Sequence, residues 1–385
     1  MATINQIYGL VNSITQQALG ESAITVTDTT SLVAQGDSII NTENALDAWN
    51  KALIDRIGKT IISNKSYTRQ RRRFFRSGIE YGIILQKIYT DLPKAVENQT
   101  WVSDNSKRKD QFEINLPNVR QYFFTGISSF EFPVTITDKA WKTAFTSATQ
   151  MGAFVESIMT SLYNAMEVTI EETENLAVAT FISEKYKAKD THPNGAVNLL
   201  HDYNTLTNRA LTVSQCLTDK EFLRYASMQI NLLTKRMQKI STLYNNSVAD
   251  DKGEKVKRFT SKEDLCLDVL IDFSTATASY LSADTFHKEL VSLPNYNEVN
   301  YWQGSGVNNA FSDVSAVNIG ASDNAISGIL AVAYDVNAIG TTIENYRTPT
   351  ERNNRGGYTN HFAQCDVQYF NDLSENGIVF YVEEV

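Results

Sequence analysis

The sequence predicts an α+β fold. Three observations carry that expectation. Apolar residues recur at helical spacing through a long central stretch, from Trp141 to Tyr186. β-rich segments flank it, at residues 75–131 before and 361–382 after. No internal repeat or sustained heptad pattern turns either kind of element into an array. With 385 residues, 42% of them hydrophobic and 21% charged, the chain can build one elaborate domain or a few subdomains without a disulfide or metal staple.

Residues 1–40 are rich in Ser, Thr, Gln and Asn with interspersed Ile and Val. No helical stripe persists there, so an extended or weakly ordered arm is expected. Asn41 can cap a helix running to Ile57, with Leu46, Trp49, Leu53 and Ile57 on one face and Gly58 as its stop. Ile79 to Ile88 and Phe112 to Phe132 read as strands. The polar excursion Thr90–Gln111 between them predicts a projecting hairpin whose loop reaches something outside the subunit.

Thr137-Asp138 opens the central helix. Its stripe runs through Phe145, Ala148, Gly152, Val155, Met159, Leu162 and Met166, then Leu176, Val178, Phe181 and Ile182, to a stop at His192-Pro193-Asn194-Gly195. A break at Gly152 leaves a second helix over 151–188, about 57 Å long at 1.5 Å per residue, which suits a spine for a flat, extended subunit. Beyond it, Phe222–Leu243 is expected to be helical, Leu265–Phe273 a buried strand and Ser282–Leu290 a helix. Ile329–Tyr334 follows as a short strand and 346–360 as a polar turn. His361–Phe370 and Gly377–Val382 alternate like a closing hairpin.

The net charge of −9 is unevenly placed. Residues 1–50 hold five acids and no Lys or Arg, residues 51–76 hold nine bases and one acid, and 77–385 carry −12. That balance disfavours a general nucleic-acid binder. Cys216, Cys266 and Cys365 are odd in number and match no zinc or redox spacing, and His192, His201, His287 and His361 form no ligand motif. Gly304-Ser305-Gly306 is neither a phosphate loop nor a dinucleotide fingerprint, and no nucleophile elbow occurs. Glu156, Glu167, Glu171, Glu172 and Glu174 lack the Glu-x-x-His partners of a di-iron bundle and read as a solvated helix face. No catalytic residue, metal ligand or cofactor is therefore expected. Residues 1–20 lack the charged and apolar regions of a signal peptide, and no apolar run is long enough to span a membrane. Synthesis and folding in a cytoplasm are expected.

Two surface features remain. Arg69, Arg71, Arg72, Arg73 and Arg76, interleaved with Phe74 and Phe75, fit either nucleic-acid contact or a positive surface facing a neighbour's acids. Trp101 and Val102 are an apolar pair in a largely polar excursion, and Lys107, Arg108 and Lys109 follow them. This is the pattern of an anchor in a neighbouring subunit.

The segments LIDRIGKTII (53–62), IYTDL (88–92), LPNVRQY (116–122) and, above all, WKTAFTSATQMGAFVESIMTSLYNAMEV (141–168) carry a resemblance to a known family. Together with the order of elements, the chain resembles the Hong Kong 97-type capsid fold, and within it the major capsid proteins of the phi-twenty-nine-like (picovirus) podophages. The C-terminal Arg355-Gly356-Gly357-Tyr358 is a weaker match. The resemblance implies an N-terminal arm and helix at 1–65, a projecting hairpin (E-loop) at 66–132 and a P-domain with spine helix at 133–204. A central A-domain at 205–345 and return strands at 346–385 complete it. It implies a non-enzymatic subunit that self-assembles as hexamers and pentamers into an icosahedral virion head in the host cytoplasm. Portal and scaffolding proteins and packaged double-stranded DNA would be its partners, with no membrane. An encapsulin-type cargo compartment and a nucleic-acid-binding protein using 69–76 are the alternatives.

Overall fold

The computed structural model describes residues 4–20, 25–41, 45, 48–49, 75–76, 85–93, 95, 97, 112, 114, 116–138, 148–249, 255–282, 296–303, 310–319, 325–347 and 349–384. They are a mixture of helix and sheet, as expected. The chain divides into two compact units, one from residues 1–80, 127–173 and 342–368, the other from 81–126, 174–341 and 369–385.

In the first unit the expected arm is instead helical, with α1 at Ile4–Leu19 and α2 at Thr29–Asn41. Tyr8, Val11, Ile14 and Thr15 fall on one buried stripe of α1. Their polar neighbours mask that stripe in composition, and tertiary burial decides the conformation. Trp49 is fully buried and donates its indole N–H to Thr15 Oγ1 at 3.0 Å. The Asn12 amide clasps the backbone of Val26, accepting its N–H at 2.6 Å and donating to its carbonyl at 2.9 Å. Ala45, Ala48 and Trp49 are helical, and the rest of the helix expected over 41–57 lies outside the described residues.

The sheet of this unit comprises β1 (Phe75–Arg76), β4 (Ile127–Thr137), β11 (Ile339–Arg347), β12 (Thr350–Asn353) and β13 (Tyr358–Asn371). It runs β1-β11-β13-β12, with β4 also paired on β13. The β4–β13 register is antiparallel, from Ile127 opposite Gln368 to Thr137 opposite Tyr358. Alternation along β13 buries Thr359, His361, Ala363, Cys365 and Val367 on one face. The long helix α3 (Ala148–Lys187) packs Met166 and Ile170 against Phe130, Phe132, Ile343, Cys365 and Val367. It passes through Gly152 unbroken, because one interior glycine costs only about 1 kcal/mol. Its 40 residues correspond to about 60 Å. The side chain of Met159 lies outside the described residues, as do Trp141 and Phe145.

The second unit is built on a mixed sheet, β5-β14-β10-β6-β7, of Ala196–Asn198, Gly377–Tyr381, Ile329–Asp335, Leu265–Leu270 and Asn297–Val299. Central β10 is buried along its whole length, so it reads as a continuous apolar run without alternation. One face is covered by α4 (Leu199–Thr207), α5 (Lys220–Arg236) and α6 (Ile271–Ser282), through Leu200, Tyr203, Phe222, Ala226, Ile230 and Phe273. Asn198 and Asp219 cap α4 and α5, accepting the N–H groups of His201 and Phe222. The later turns of α3 bury Phe181 beside Tyr334, ring centroids 6.1 Å apart. A Cβ on Gly377 would run into the Phe181 ring, so only glycine allows β14 to pass there. A short ribbon of β8 (Val317–Asn318) and β9 (Ala325–Ile326) lies apart from the main sheet.

Several segments differ from expectation. Phe112–Phe132 is not one strand. It holds β3 (Val119–Phe124) and the start of β4, separated at Gly126, where a Cβ would meet the Tyr369 carbonyl at 2.9 Å. Helix α5 ends at Arg236, and the Met237 carbonyl then accepts from Thr260 N–H. The polar stretch 346–360 contains β12, with its turn at 354–357. The two last strands are not a hairpin: β13 pairs in the first sheet and β14 between β10 and β5 in the second. Most of Ser282–Leu290 lies outside the described residues.

Candidate assembly surface at the β-hairpin

Strands β2 (Leu85–Thr90) and β3 form an antiparallel hairpin in the second unit, with Leu85 opposite Phe124 and Thr90 opposite Val119. Alternation gives it two unlike faces. On one, Lys87 Nζ lies 2.6 Å from both Asp372 Oδ2 and Glu375 Oε1 and donates to the Asn337 carbonyl at 3.3 Å. Both carboxylates are buried in the β13–β14 connection. Carboxylates there are tolerable only when paired, and Lys87 and Arg258 pair them. Arg258 Nε is 3.3 Å from Glu375 Oε2, and its guanidinium lies 3.8 Å over the Tyr89 ring. Tyr89 donates its hydroxyl to the Lys257 carbonyl at 2.8 Å, and burial raises its pKa. Arg120, paired with Asp91 at 3.1 Å, donates to the Val248 carbonyl, and Phe124 meets Phe370 at 5.2 Å between centroids.

The other face is bare. Ile88, Val119 and Phe123 are exposed, as are Leu92 and Leu116 beyond the strand ends, with Leu116 at 84%. Phe112 and Ile114, further out, are exposed at 83% and 81%. A contiguous group of exposed apolar side chains on one face of a hairpin is the kind of patch that marks an interaction surface. Among the described residues no group of three His, Cys, Asp or Glu can hold a metal, and no helix is long and apolar enough to cross a membrane.

Of the residues singled out from sequence, Trp101, Val102, Lys107, Arg108, Lys109, Arg69, Arg71, Arg72 and Arg73 lie outside the described residues. Arg76 is in β1, and its side chain lies outside them too. Sequence reasoning missed Lys87, Tyr89, Arg120, Arg258, Asp372 and Glu375. Strand alternation in 85–90 and 119–124 predicts which side chains share a face. Nothing local announces that Lys87 pairs with acids 285 and 288 residues away.

This architecture is that of phage capsid chains. It is similar to a chain in the capsid structure of Staphylococcus phage Andhra, with a TM-score of 0.58 at 12% identity, covering 83% of this chain and 86% of that one. A chain from the structure of the head fiber and inner core protein of native bacteriophage P68 gives a TM-score of 0.57 at 10% identity, covering 83% and 88%. Residues 11–381 match the Phi29-like phage major capsid protein family, and the chain belongs to that family. The major capsid protein of Bacillus phage PZA is 28% identical over 183 residues, 47% of this chain and 40% of that protein. That of Bacillus phage GA-1 is 27% identical over 47% and 38%. The aligned segment thus spans less than half the length of these relatives. The compartment and nucleic-acid-binding alternatives are not favoured by these matches.

Proposed function

We propose that this chain is the shell-building subunit of a tailed, double-stranded DNA phage, acting by geometry and not by catalysis. Copies assemble as hexamers and pentamers into an icosahedral head in the host cytoplasm, with portal and scaffolding proteins and packaged DNA as partners. The N-terminal arm is 1–65, the E-loop 66–132, the P-domain 133–204, the A-domain 205–345 and the return strands 346–385. The observation that carries the reading is the hairpin: one face is tied down by buried ion pairs, and the other presents exposed apolar side chains inside a chain of capsid family. Contacts weak one by one suffice when each subunit makes many. Trp101, Val102 and Lys107–Lys109 extend this contact at the hairpin tip, and Arg69–Arg76 face DNA or a neighbour.

Replacing residues 94–110 by a short Gly-Ser turn tests the proposal. The shortened chain is expected to melt like wild type and to give no closed shells in electron microscopy. Normal shells would refute the assembly role of the hairpin tip, and loss of cooperative melting would assign the loop to the core.

A further inference from the structure

A second surface of the other character lies beside the hairpin root. The segment 255–260 alternates outward Lys255, Lys257 and Phe259 with inward Val256, Arg258 and Thr260. An antiparallel bridge joins Ser241 to Arg258 through bonds of 2.8 and 2.9 Å, which sets Ile240 opposite Phe259. The Thr260 N–H to Met237 carbonyl bond closes the same edge onto the end of α5. Ile240 and Phe259 are 42% and 58% exposed. Lys235, Arg236 and Lys239, close in the chain to Ile240, and Lys257, on the outward row with Phe259, are exposed, and no salt bridge among the described residues takes up any of the four. No acid occurs in 222–249 or in 255–262. The intervening DDKGE (250–254) holds three acids and one lysine, and lies outside the described residues.

We propose that this patch, an apolar pair ringed by four bases, is a docking surface for a second copy of the chain; the inference rests on the shell reading. An exposed Ile–Phe pair offers little to a phosphate backbone, whose contacts are charge-driven. Apolar centre and charged rim together are the anatomy of a protein interface. Four exposed bases without acids of their own favour an acidic partner. The chain's net charge is −9, so outside this patch its surface is more acidic still. A second copy therefore supplies the complementary charge. The patch also adjoins the hairpin, since the Lys257 carbonyl accepts from Tyr89.

Two full-length variants test this: Lys235→Glu/Lys239→Glu/Lys257→Glu, and Ile240→Ser/Phe259→Ser. All five side chains are exposed, so wild-type melting is expected of both. If the apolar pair disturbs the fold, the charge variant decides alone. Sedimentation velocity and electron microscopy at matched concentration should show the assembled fraction falling about tenfold or more, and added salt should weaken wild-type association. Wild-type levels of association by a folded variant overturn the proposal. So does normal assembly with loss of binding to a random-sequence DNA duplex, which would assign the patch to phosphate. A wild-type chain that forms no shells would sink the shell reading instead. The patch would then be judged by whether the variants weaken pairing of free subunits in the same sedimentation runs.

Discussion

Lys185 is an ionisable side chain with no access to water. Its Nζ donates to the Tyr244 carbonyl at 2.9 Å and to Asn246 Oδ1 at 3.1 Å. Two acceptors match the two hydrogens of a neutral amine, and burial lowers its pKa from 10.5 to about 7. Between those values the unfolded chain holds a proton that the folded chain does not. The unfolded state therefore binds more protons, and stability rises with pH from about 7 towards 10.5. The steepest slope from this one group is roughly 1.4 kcal/mol per pH unit. Urea unfolding at pH 7, 8 and 9 should show the rise, and Lys185→Met should flatten it. An unchanged slope in the variant would mean that Lys185 stays charged when folded.

Among the elements, the hairpin root depends most on a single residue. Lys87→Met keeps the stem length but leaves Asp372 and Glu375 buried without that cation, at a cost of about 3 kcal/mol. Arg258 still serves Glu375, so Asp372 bears most of the loss. The variant should melt lower, and its amides in 85–90 and 119–124 should exchange faster with deuterium. Unchanged exchange would show that the aromatic contacts alone hold the root. This pairing was illegible in the sequence, since a lone lysine in an alternating strand looks like any solvated one. What was legible followed a period: α3 through its long stripe, β10 as an apolar run, and the stop at His192–Gly195 through its Pro and Gly. Helix α1 was not legible, because its stripe is short and becomes decisive only when Trp49 closes over it. Nor were the partners of β13 and β14. Alternation specifies faces, but the choice of neighbouring strand is made by the whole chain.

At the scale of the whole molecule, the three cysteines report on both units at once. Cys365 is buried in the first, Cys216 and Cys266 in the second. Burial pushes the Cys216 thiol up to about 12 and raises that of Cys365 as well, so neither supplies thiolate at neutral pH. The native protein should leave all three unmodified by a maleimide until denaturant is added, and rapid labelling of any one would show that its unit opens. The ion pair between Lys87 and the β13–β14 connection also has a consequence in time. Ribosomes add on the order of 5–20 residues per second, so Asp372 and Glu375 emerge roughly 15–60 s after Lys87. Until then the hairpin root is held only by the contacts of Tyr89 and Arg120 with residues 248–258, and its full anchoring waits on the β13–β14 connection.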